Sequence, residues 1–513
     1  MNALLRAFGF AAAGLAQAAS IAAPWNGQPQ WWLQILSMAA LVWQLDALRA
    51  GSGRPAWRGA AFHGWLFATT WLCGTFWWLF ISMHTYGGMP AALAALAVFA
   101  LAAALSLYYA AACGCFVAFA PTNRAQAAIF FVALWLLAEL LRGSLFTGFP
   151  WGAGGYAHID GPLAAQVPWL GAYGTGAAAT AIAALCVAAV PAQTLAGRAR
   201  LLVAAALIAI VPGLATVTTT SAGLLRVALL QGNIPQDEKF VAGGGIATAL
   251  RWYADQLMGA TAPLTVTPET AIPLLPRQLP PGYLEDIAAH FSTGTRAAMI
   301  GVPLAMGSAS ADGSYGNAVL AFRPEAAQAY LYTKHHLVPF GEFVPTGFRW
   351  FTDLMKIPLG DFRSGGLAQP PFVWQGQRIA TNICYEDLFG EEIGAGFRDD
   401  ASAPTMLLNV SNIAWFGDSI AIDQHLAISR MRALEFQRPM LRATNTGATV
   451  VIDHRGRVSA ALPRLTRGVL EAEVEGRNGR TPYARWVSPF GLAPLWVAAL
   501  AMVIVTMVTR RRA

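Results

Sequence analysis

Charge is scarce in this chain. Asp, Glu, Lys and Arg together make up 12% of its 513 residues. Hydrophobic residues make up 56% and mean hydropathy is positive, which excludes an ordinary soluble protein. Cysteine is also sparse. Cys73, Cys113, Cys115, Cys186 and Cys384 form no C-x-x-C pair, and four of them lie inside apolar runs. That pattern supports neither a zinc site nor a disulfide framework. No internal repeat or low-complexity linker is present. The net charge of +7 does not point to nucleic acid, because the arginines sit beside hydrophobic runs instead of sharing one polar face.

What the chain has in quantity is long apolar segments. Seven precede residue 220, at about 4–23, 31–48, 61–82, 91–120, 125–141, 162–190 and 200–218, and an eighth covers about 488–508. Arg6, Arg49, Arg54, Arg58, Arg124, Arg198, Arg200 and the triplet 510–512 all fall on one side of an eight-span arrangement. The opposite loops near 24–30 and 83–90 carry no Lys or Arg. The positive-inside rule then puts both termini in the cytoplasm and the segment between spans seven and eight outside. The first run also reads as a signal peptide, with Arg6 and Ala-Gln-Ala, and its removal leaves the downstream orientation unchanged. Arg142 breaks the charge pattern. It stands three residues from Glu139, a spacing that pairs the two on one helix face. The following loop to Trp151 reads as an interfacial aromatic belt or as a wall of a lipid entrance.

From about residue 222 the periodicity changes. Strand-type runs at 225–231, 264–267, 297–302, 318–322, 329–332, 378–384, 405–409 and 449–453 alternate with helical runs at 246–258, 283–291 and 420–436. This predicts an α/β domain of roughly 265 residues, large enough for a full core. The expected division is a membrane domain over 1–220, an α/β domain over 221–485, and a last span with its tail over 486–513.

Three polar clusters stand at strand ends. Glu269 follows Leu264-Thr265-Val266, Lys334 follows the strand through Tyr332, and Cys384 ends the strand from Arg378. A nucleophile at the end of a strand, just before a helix, projects clear of the sheet. Each residue alone has a plain reading: Glu269 as a helix-start acid, Lys334 as an edge charge, Cys384 as a small buried hydrophobe. A carboxylate, an ammonium and a thiol at three strand ends of one domain instead fit a composite active site.

The chain resembles the nitrilase superfamily, and with its spans it resembles the membrane-embedded apolipoprotein N-acyltransferase family across essentially its whole length. The likeness is carried by residues 147–151, Gln231-Gly232-Asn233-Ile234-Pro235-Gln236, Pro268-Glu269-Thr270-Ala271-Ile272-Pro273, 336–345, Cys384-Tyr385-Glu386, 409–419 and 431–442. It implies an αββα sandwich beside the membrane helices, with Glu269 as base, Lys334 as electrostatic partner and Cys384 as nucleophile. It further implies support from Glu342, Tyr385 and Glu386, and lipid or acceptor contacts at Phe240, Trp151, Phe343 and Trp415. An aromatic stretch with Phe343, Phe348, Trp350 and Phe351 ahead of Asp353 is expected to lie at the bilayer surface. Two positions depart from the family pattern: Phe240 stands where a tryptophan is expected, and Ile413 where an aspartate is usual.

The implied partners are a phospholipid acyl donor, a diacylated apolipoprotein acceptor and the bilayer, with no nucleic acid, metal or cofactor. The implied setting is a bacterial inner membrane with the α/β domain facing the periplasm. Lys334 is expected to favour the Cys384 thiolate. The competing readings are a membrane-tethered amidase using water as acceptor, and a transporter or lipid sensor. The latter is disfavoured by how few ionisable residues besides Glu139 lie within the spans.

Overall fold

The computed structural model describes residues 3–50, 56–192, 194–214, 217–241, 243–306, 314–326, 328–345 and 362–512. Arg54 and the aromatic stretch of Phe348, Trp350, Phe351 and Asp353 lie outside the described residues. The chain divides into two compact units. One comprises Met1–Phe80, Pro90–Val217 and Phe490–Ala513; the other comprises Ile81–Met89 and Thr218–Pro489.

The first unit is helical. Ala3–Ile21, Ala91–Phe119, Arg124–Thr147, Pro162–Ala189 and Ala493–Arg510 are each long and apolar enough to cross a membrane, and Trp57–Phe76 with Leu79–Tyr86 makes a sixth if that bent pair is one span. Helices Trp31–Ala50 and Leu195–Leu214 occupy the two other places where the sequence predicts spans. Stacked rings of Trp71, Trp135 and Phe131 fill the interior, and Phe67 meets Trp135 edge-on and Trp71 at a tilt. Arg142 is buried beside them, and its position explains the exception to the charge rule. Its Nε donates to the Tyr109 hydroxyl at 2.7 Å, its Nη1 donates to the Phe149 and Trp151 carbonyls, and Nη2 lies 3.5 Å from Glu139. A guanidinium with its donors so occupied braces the 142–151 loop from inside the bundle.

The second unit is built from two six-stranded sheets. In chain order the strands are β1 (Thr220–Gln231), β2 (Leu264–Val266), β3 (Ala297–Ala305), β4 (Tyr315–Phe322), β5 (Tyr330–Thr333), β6 (Phe372–Trp374), β7 (Gln377–Ile383), β8 (Met406–Ser411), β9 (Met440–Thr444), β10 (Val450–Ile452), β11 (Val458–Ala461) and β12 (Gly468–Asn478). The sheet orders are β12-β1-β2-β3-β4-β5 and β11-β10-β9-β8-β7-β6. Within them β1, β2 and β3 run parallel, as do β7, β8 and β9. The remaining neighbours pair antiparallel.

Period-two alternation decides which sheet face meets what. Val227 and Leu229 of β1, Ala297 and Met299 of β3, Ile379 and Ile383 of β7, and Met406, Leu408 and Val410 of β8 join one core between the sheets. The residues between them face outward. Ala298, Ile300 and Val302 pack with Leu257 and with Ile287 and Phe291 from helices Gly245–Met258 and Tyr283–Phe291. On the other sheet Leu407, Met440 and Val450 meet Ile422, Ala433 and Phe436 of helix Ala421–Phe436 and Val487 of helix Pro482–Phe490. Helices thus cover both outer faces of a sheet pair, the expected αββα arrangement.

The long strand β12 is absent from the sequence reading. Its Leu470 and Val474 face the core while Glu471, Glu473 and Glu475 alternate with them. A glutamate at every second position hides an edge strand from a search for apolar runs. Residues 81–89, which fall inside a predicted span and loop, group with this unit: Ser82–Tyr86 is a π-helical turn, and the Tyr86 ring meets Trp415 edge-on at 6.0 Å.

Leu408 faces its neighbours from the middle strand of its half of the core. Leu408→Ala is expected to cost about 2–5 kcal/mol and to lower the melting temperature of the detergent-solubilised protein by scanning fluorimetry. An unchanged melting temperature would remove Leu408 from the core.

Candidate active site

The carboxyl ends of the parallel strands and of β5 carry the polar groups of the second unit. Ligand sites on α/β sheets form at such ends because the loops there diverge. Glu269 leaves β2 through Thr267-Pro268. The Thr267 amide donates to Met299 O, and Thr267 Oγ1 accepts the Gly301 amide at 3.0 Å, which pins the loop to β3. Gly301 is obligatory here: a Cβ at this position would stand 2.1 Å from Pro268 O and 3.0 Å from Glu269 Cα. Held this way, Glu269 is 8% exposed. Its Oε1 accepts Asn317 Nδ2 at 2.6 Å and its Oε2 accepts the Asn412 amide at 2.7 Å.

Lys334, one residue past β5, is fully buried. Its ammonium donates to Glu342 Oε1 at 2.9 Å, lies 2.9 Å from Glu342 Oε2, and stands 3.7 Å from Glu269 Oε1. Burial alone would lower this ammonium, but Glu342 and Glu269, with Cys384 beyond them, hold it above its ordinary value. Glu342 is held in turn by the Val338 amide at 2.8 Å and by Asn317 Nδ2 at 3.0 Å. The Asn317 amide therefore bridges the two carboxylates that face one ammonium.

Cys384 follows Ile383 at the end of β7 and opens the 3₁₀ turn Cys384–Leu388. Its φ of 53° is in the left-handed region, a costly backbone state for a residue with a side chain. The groups that hold it form a polar ladder on the outer sheet face. Asn382, Asn409 and Arg442 are register partners across β7, β8 and β9. Asn409 Nδ2 donates to Asn382 Oδ1 at 2.6 Å and to the Cys384 carbonyl at 3.1 Å. His425 Nε2 approaches the same carbonyl at 3.3 Å and Asp387 Oδ1 at 2.9 Å. Arg442 Nη2 meets His425 Nδ1 at 2.8 Å. A guanidinium only donates, so Nδ1 accepts and the proton resides on Nε2, directed at Asp387 and the Cys384 carbonyl.

Glu386 ties the pieces together. Its carboxylate accepts the Ile383 amide at 2.6 Å, the His335 amide at 2.6 Å, the His336 amide at 3.1 Å and the Tyr332 hydroxyl at 2.9 Å. Burial pushes its carboxyl up to about 7, against Lys334 and the three backbone N–H groups. Tyr385 is buried, with its ring 5.3 Å from Phe389 and 5.7 Å from His336.

Glu269, Lys334, Cys384, Glu342 and Glu386 are therefore gathered at one place. The four expected contact residues are more dispersed. Phe240 is 54% exposed, Trp415 is exposed beside Tyr86, and Phe343 is half-buried. Trp151 belongs to the first unit, where it is buried with its ring 4.8 Å from Trp78. Ile413, at the place of an expected aspartate, is buried in the apolar cluster of Leu407 and Ile422, so this site has hydrophobic packing there instead of a charge.

Sequence reasoning did not assign Asn317, Asn412, Asn445, Gln236, His425, Arg442 or Lys239. Asn412 Nδ2 donates to Gln236 Oε1 at 2.9 Å, and its Oδ1 accepts Asn445 Nδ2 at 3.1 Å. Asn445 also exchanges both of its amide hydrogen bonds with the Ile234 backbone. These contacts fasten the Gln-Gly-Asn-Ile-Pro-Gln turn to the Glu269 carboxylate. The signal lay in the asparagines that directly follow β8 and β9.

The thiol feels Lys334 as expected, but burial dominates it. Burial pushes the Cys384 thiol up to about 12, Glu269 adds to the rise, and Lys334 and the Ser411 side chain oppose it without prevailing. Lys334 does favour the thiolate, but it is outweighed. The resting thiol is neutral at pH 7, and its ionised fraction grows about tenfold per pH unit. Alkylation of Cys384 by iodoacetamide, followed on its own peptide by mass spectrometry, is expected to accelerate steadily from about pH 6 to about pH 10. A plateau below about pH 8 would show a preformed thiolate.

Residues 13–185 match the family model for the apolipoprotein N-acyltransferase N-terminal domain, and residues 226–483 match that for carbon-nitrogen hydrolase. An apolipoprotein N-acyltransferase of Verminephrobacter eiseniae is 57% identical, over 94% of this chain and 92% of that one. A second, of Ralstonia nicotianae, is 46% identical over 94% and 90%. A third, of Bordetella bronchiseptica, is 40% identical over 96% and 95%. With both family models matched in order and relatives this similar aligned along almost their whole length, the chain belongs to the apolipoprotein N-acyltransferase family.

Proposed function

We propose that the protein moves an acyl chain from a phospholipid to Cys384, and from Cys384 to the N-terminal amine of a diacylglyceryl-cysteine on an apolipoprotein. Membership of the family makes it a membrane-bound N-acyltransferase; the thioester route and the residue roles are our reading of the site. One observation carries it: Lys334 Nζ lies 3.7 Å from Glu269 Oε1, and the Cys384 thiol responds to both charges.

Because the resting thiol is protonated, attack and proton transfer are coupled. Glu269 takes the Sγ proton as sulfur adds to the ester carbonyl. Lys334 and the Tyr385 backbone N–H stabilise the oxyanion. Collapse breaks the ester C–O bond, Glu269 protonates the departing glycerol oxygen, and a lysophospholipid leaves a thioester on Cys384. In the second half, the α-amine adds to the thioester and gives its proton to Glu269. The C–S bond then breaks, and Glu269 returns a proton to sulfur. Such an amine has an ordinary pKa near 8, so it needs only modest help. An ester and an amine become an alcohol and an amide, and no nucleotide is consumed. Glu342 holds Lys334, and Glu386 and Tyr385 hold the turn that carries the thiol.

The charge distribution of the loops supports an inner-membrane location with the second unit on the periplasmic side. Two acyl-bearing substrates that do not readily leave a bilayer account for the helical unit. Phe240, Trp151, Phe343 and Trp415 are the proposed contacts for those substrates.

Incubation with labelled phospholipid alone is expected to add one acyl mass to the Cys384 peptide, and a chase with diacylated lipopeptide to move the label into an amide. Cys384→Ser should show no such adduct. Normal lipopeptide acylation by Cys384→Ser would remove the covalent route, and release of the label as free fatty acid would make the enzyme a hydrolase. Glu269→Gln and Lys334→Ala are each expected to reduce turnover by about 10²–10⁴-fold. Near-normal rates in either would undo that role.

A further inference from the structure

A second ammonium stands at the site, and the mechanism above makes no use of it. Lys239 is 2% exposed, and its Nζ donates to the backbone carbonyl of Glu269 at 3.3 Å. It lies 5.8 Å over the ring of Phe240, the exposed neighbour. Among the described residues no carboxylate comes within 4.0 Å of it. Lys334 differs: its donors face both oxygens of Glu342 and one of Glu269. Lys239 thus keeps most of its hydrogen-bonding capacity unspent on a nearly buried charge. Burial lowers this ammonium to about 8, with Glu269 and Cys384 holding it up.

Composition sharpens the point. Lysine occurs at only three positions, 239, 334 and 356, while the chain has 34 Lys and Arg residues in all. Two of the three lysines are buried at this site, Lys334 against Glu342 and Glu269 and Lys239 against the Glu269 backbone. A chain that otherwise relies on arginine has lysine where a compact point charge fits a confined space. A buried cation with no carboxylate in contact is costly, and the cost falls when an anion arrives beside it.

Of the two substrates in the proposed reaction, the acyl donor brings an obligatory anion. Its phosphodiester sits one glycerol backbone away from the ester that Cys384 attacks. We infer that Lys239 is an anion subsite that takes the phosphodiester of the phospholipid acyl donor while its ester lies at Cys384. The inference rests on the thioester reading above and deepens it. Lys239 then orients the donor, and its contact is released when the lysophospholipid departs, leaving the second half-reaction independent of it.

The test compares full-length wild type, Lys239→Met and Lys239→Arg in detergent, each given phosphatidylglycerol or the uncharged p-nitrophenyl ester of palmitic acid. The readout is the rate at which acyl mass appears on Cys384. Loss of a charge-assisted contact should slow acylation of Lys239→Met by phosphatidylglycerol about 10- to 100-fold. With the neutral ester its rate should stay within about threefold of wild type, and Lys239→Arg should recover most of the loss with phosphatidylglycerol. Removal of an uncompensated buried charge should leave the melting temperature of Lys239→Met unchanged or raised. An equal loss with both donors would make Lys239 part of the general electrostatics or the fold, and no loss with phosphatidylglycerol would make it a bystander; either overturns the inference. Absence of acyl-Cys384 in wild type with both donors is a different failure, which brings down the thioester reading and this subsite with it.

Discussion

The site depends on one buried carboxylate that never touches the thiol's own chemistry in our scheme. Lys334 leaves the first sheet after β5 and Cys384 leaves the second after β7, and apart from the core the two sheets share, the two exits are joined by the side chain of Glu386. It receives the amides of His335 and His336 on one side and the amide of Ile383 on the other, with the Tyr332 hydroxyl between. With Glu386 ionised, three of these are charge-assisted backbone bonds, stronger and stiffer than neutral ones. A side chain pinning its own turn to a loop of the facing sheet fixes the ammonium and the sulfur relative to each other more firmly than sheet packing alone.

That constraint also explains how a left-handed cysteine is tolerated. A φ of 53° is unfavourable, and the tight turn after β7 imposes it. The compensation is on the outer face of the sheet, where the Cys384 carbonyl accepts from Asn409 and His425, and Arg442 orients the imidazole. Every member of this ladder is buried. A polar network with its groups paired rigidifies, whereas the same groups unpaired would each be a liability. Strain at the nucleophile and satisfaction in the layer beneath it are two parts of one arrangement.

Much of this was legible in the chain, for a definite reason. Glu269, Lys334 and Cys384 follow apolar runs of strand length, so periodicity alone puts them at strand ends. The groups that hold them left weaker traces. Asn382, Asn409 and Arg442 interrupt apolar strands as single polar residues, and nothing in a one-dimensional pattern says that three strands align them into a row. Glu386 is named as support only by the family resemblance; in the pattern itself it is one more acid after a cysteine. Strand β12 was missed because its outward face is glutamate. Lys239 carries no pattern signal in the sequence, and only the fold puts it against the backbone of Glu269.

The neutral thiol follows from the same crowding, and it suits a two-substrate reaction. Two carboxylates face Lys334 before any substrate arrives, so the positive charge it brings to the sulfur is already largely compensated. Burial then favours the uncharged form of the cysteine. A standing thiolate would react with whatever electrophile reached it. In the proposed scheme a protonated one acts only when an ester carbonyl is placed so that sulfur can add while Glu269 takes the proton. Positioning thereby replaces ionisation as the source of reactivity. In the proposed route the same logic would protect the thioester: water brings neither an acyl chain nor a diacylglyceryl anchor to hold it beside Glu269, whereas the proposed lipoprotein amine would arrive already tethered to the bilayer. Discrimination between transfer and hydrolysis then comes from which nucleophile is held in place, and the charge balance around Lys334 is what makes that holding decisive.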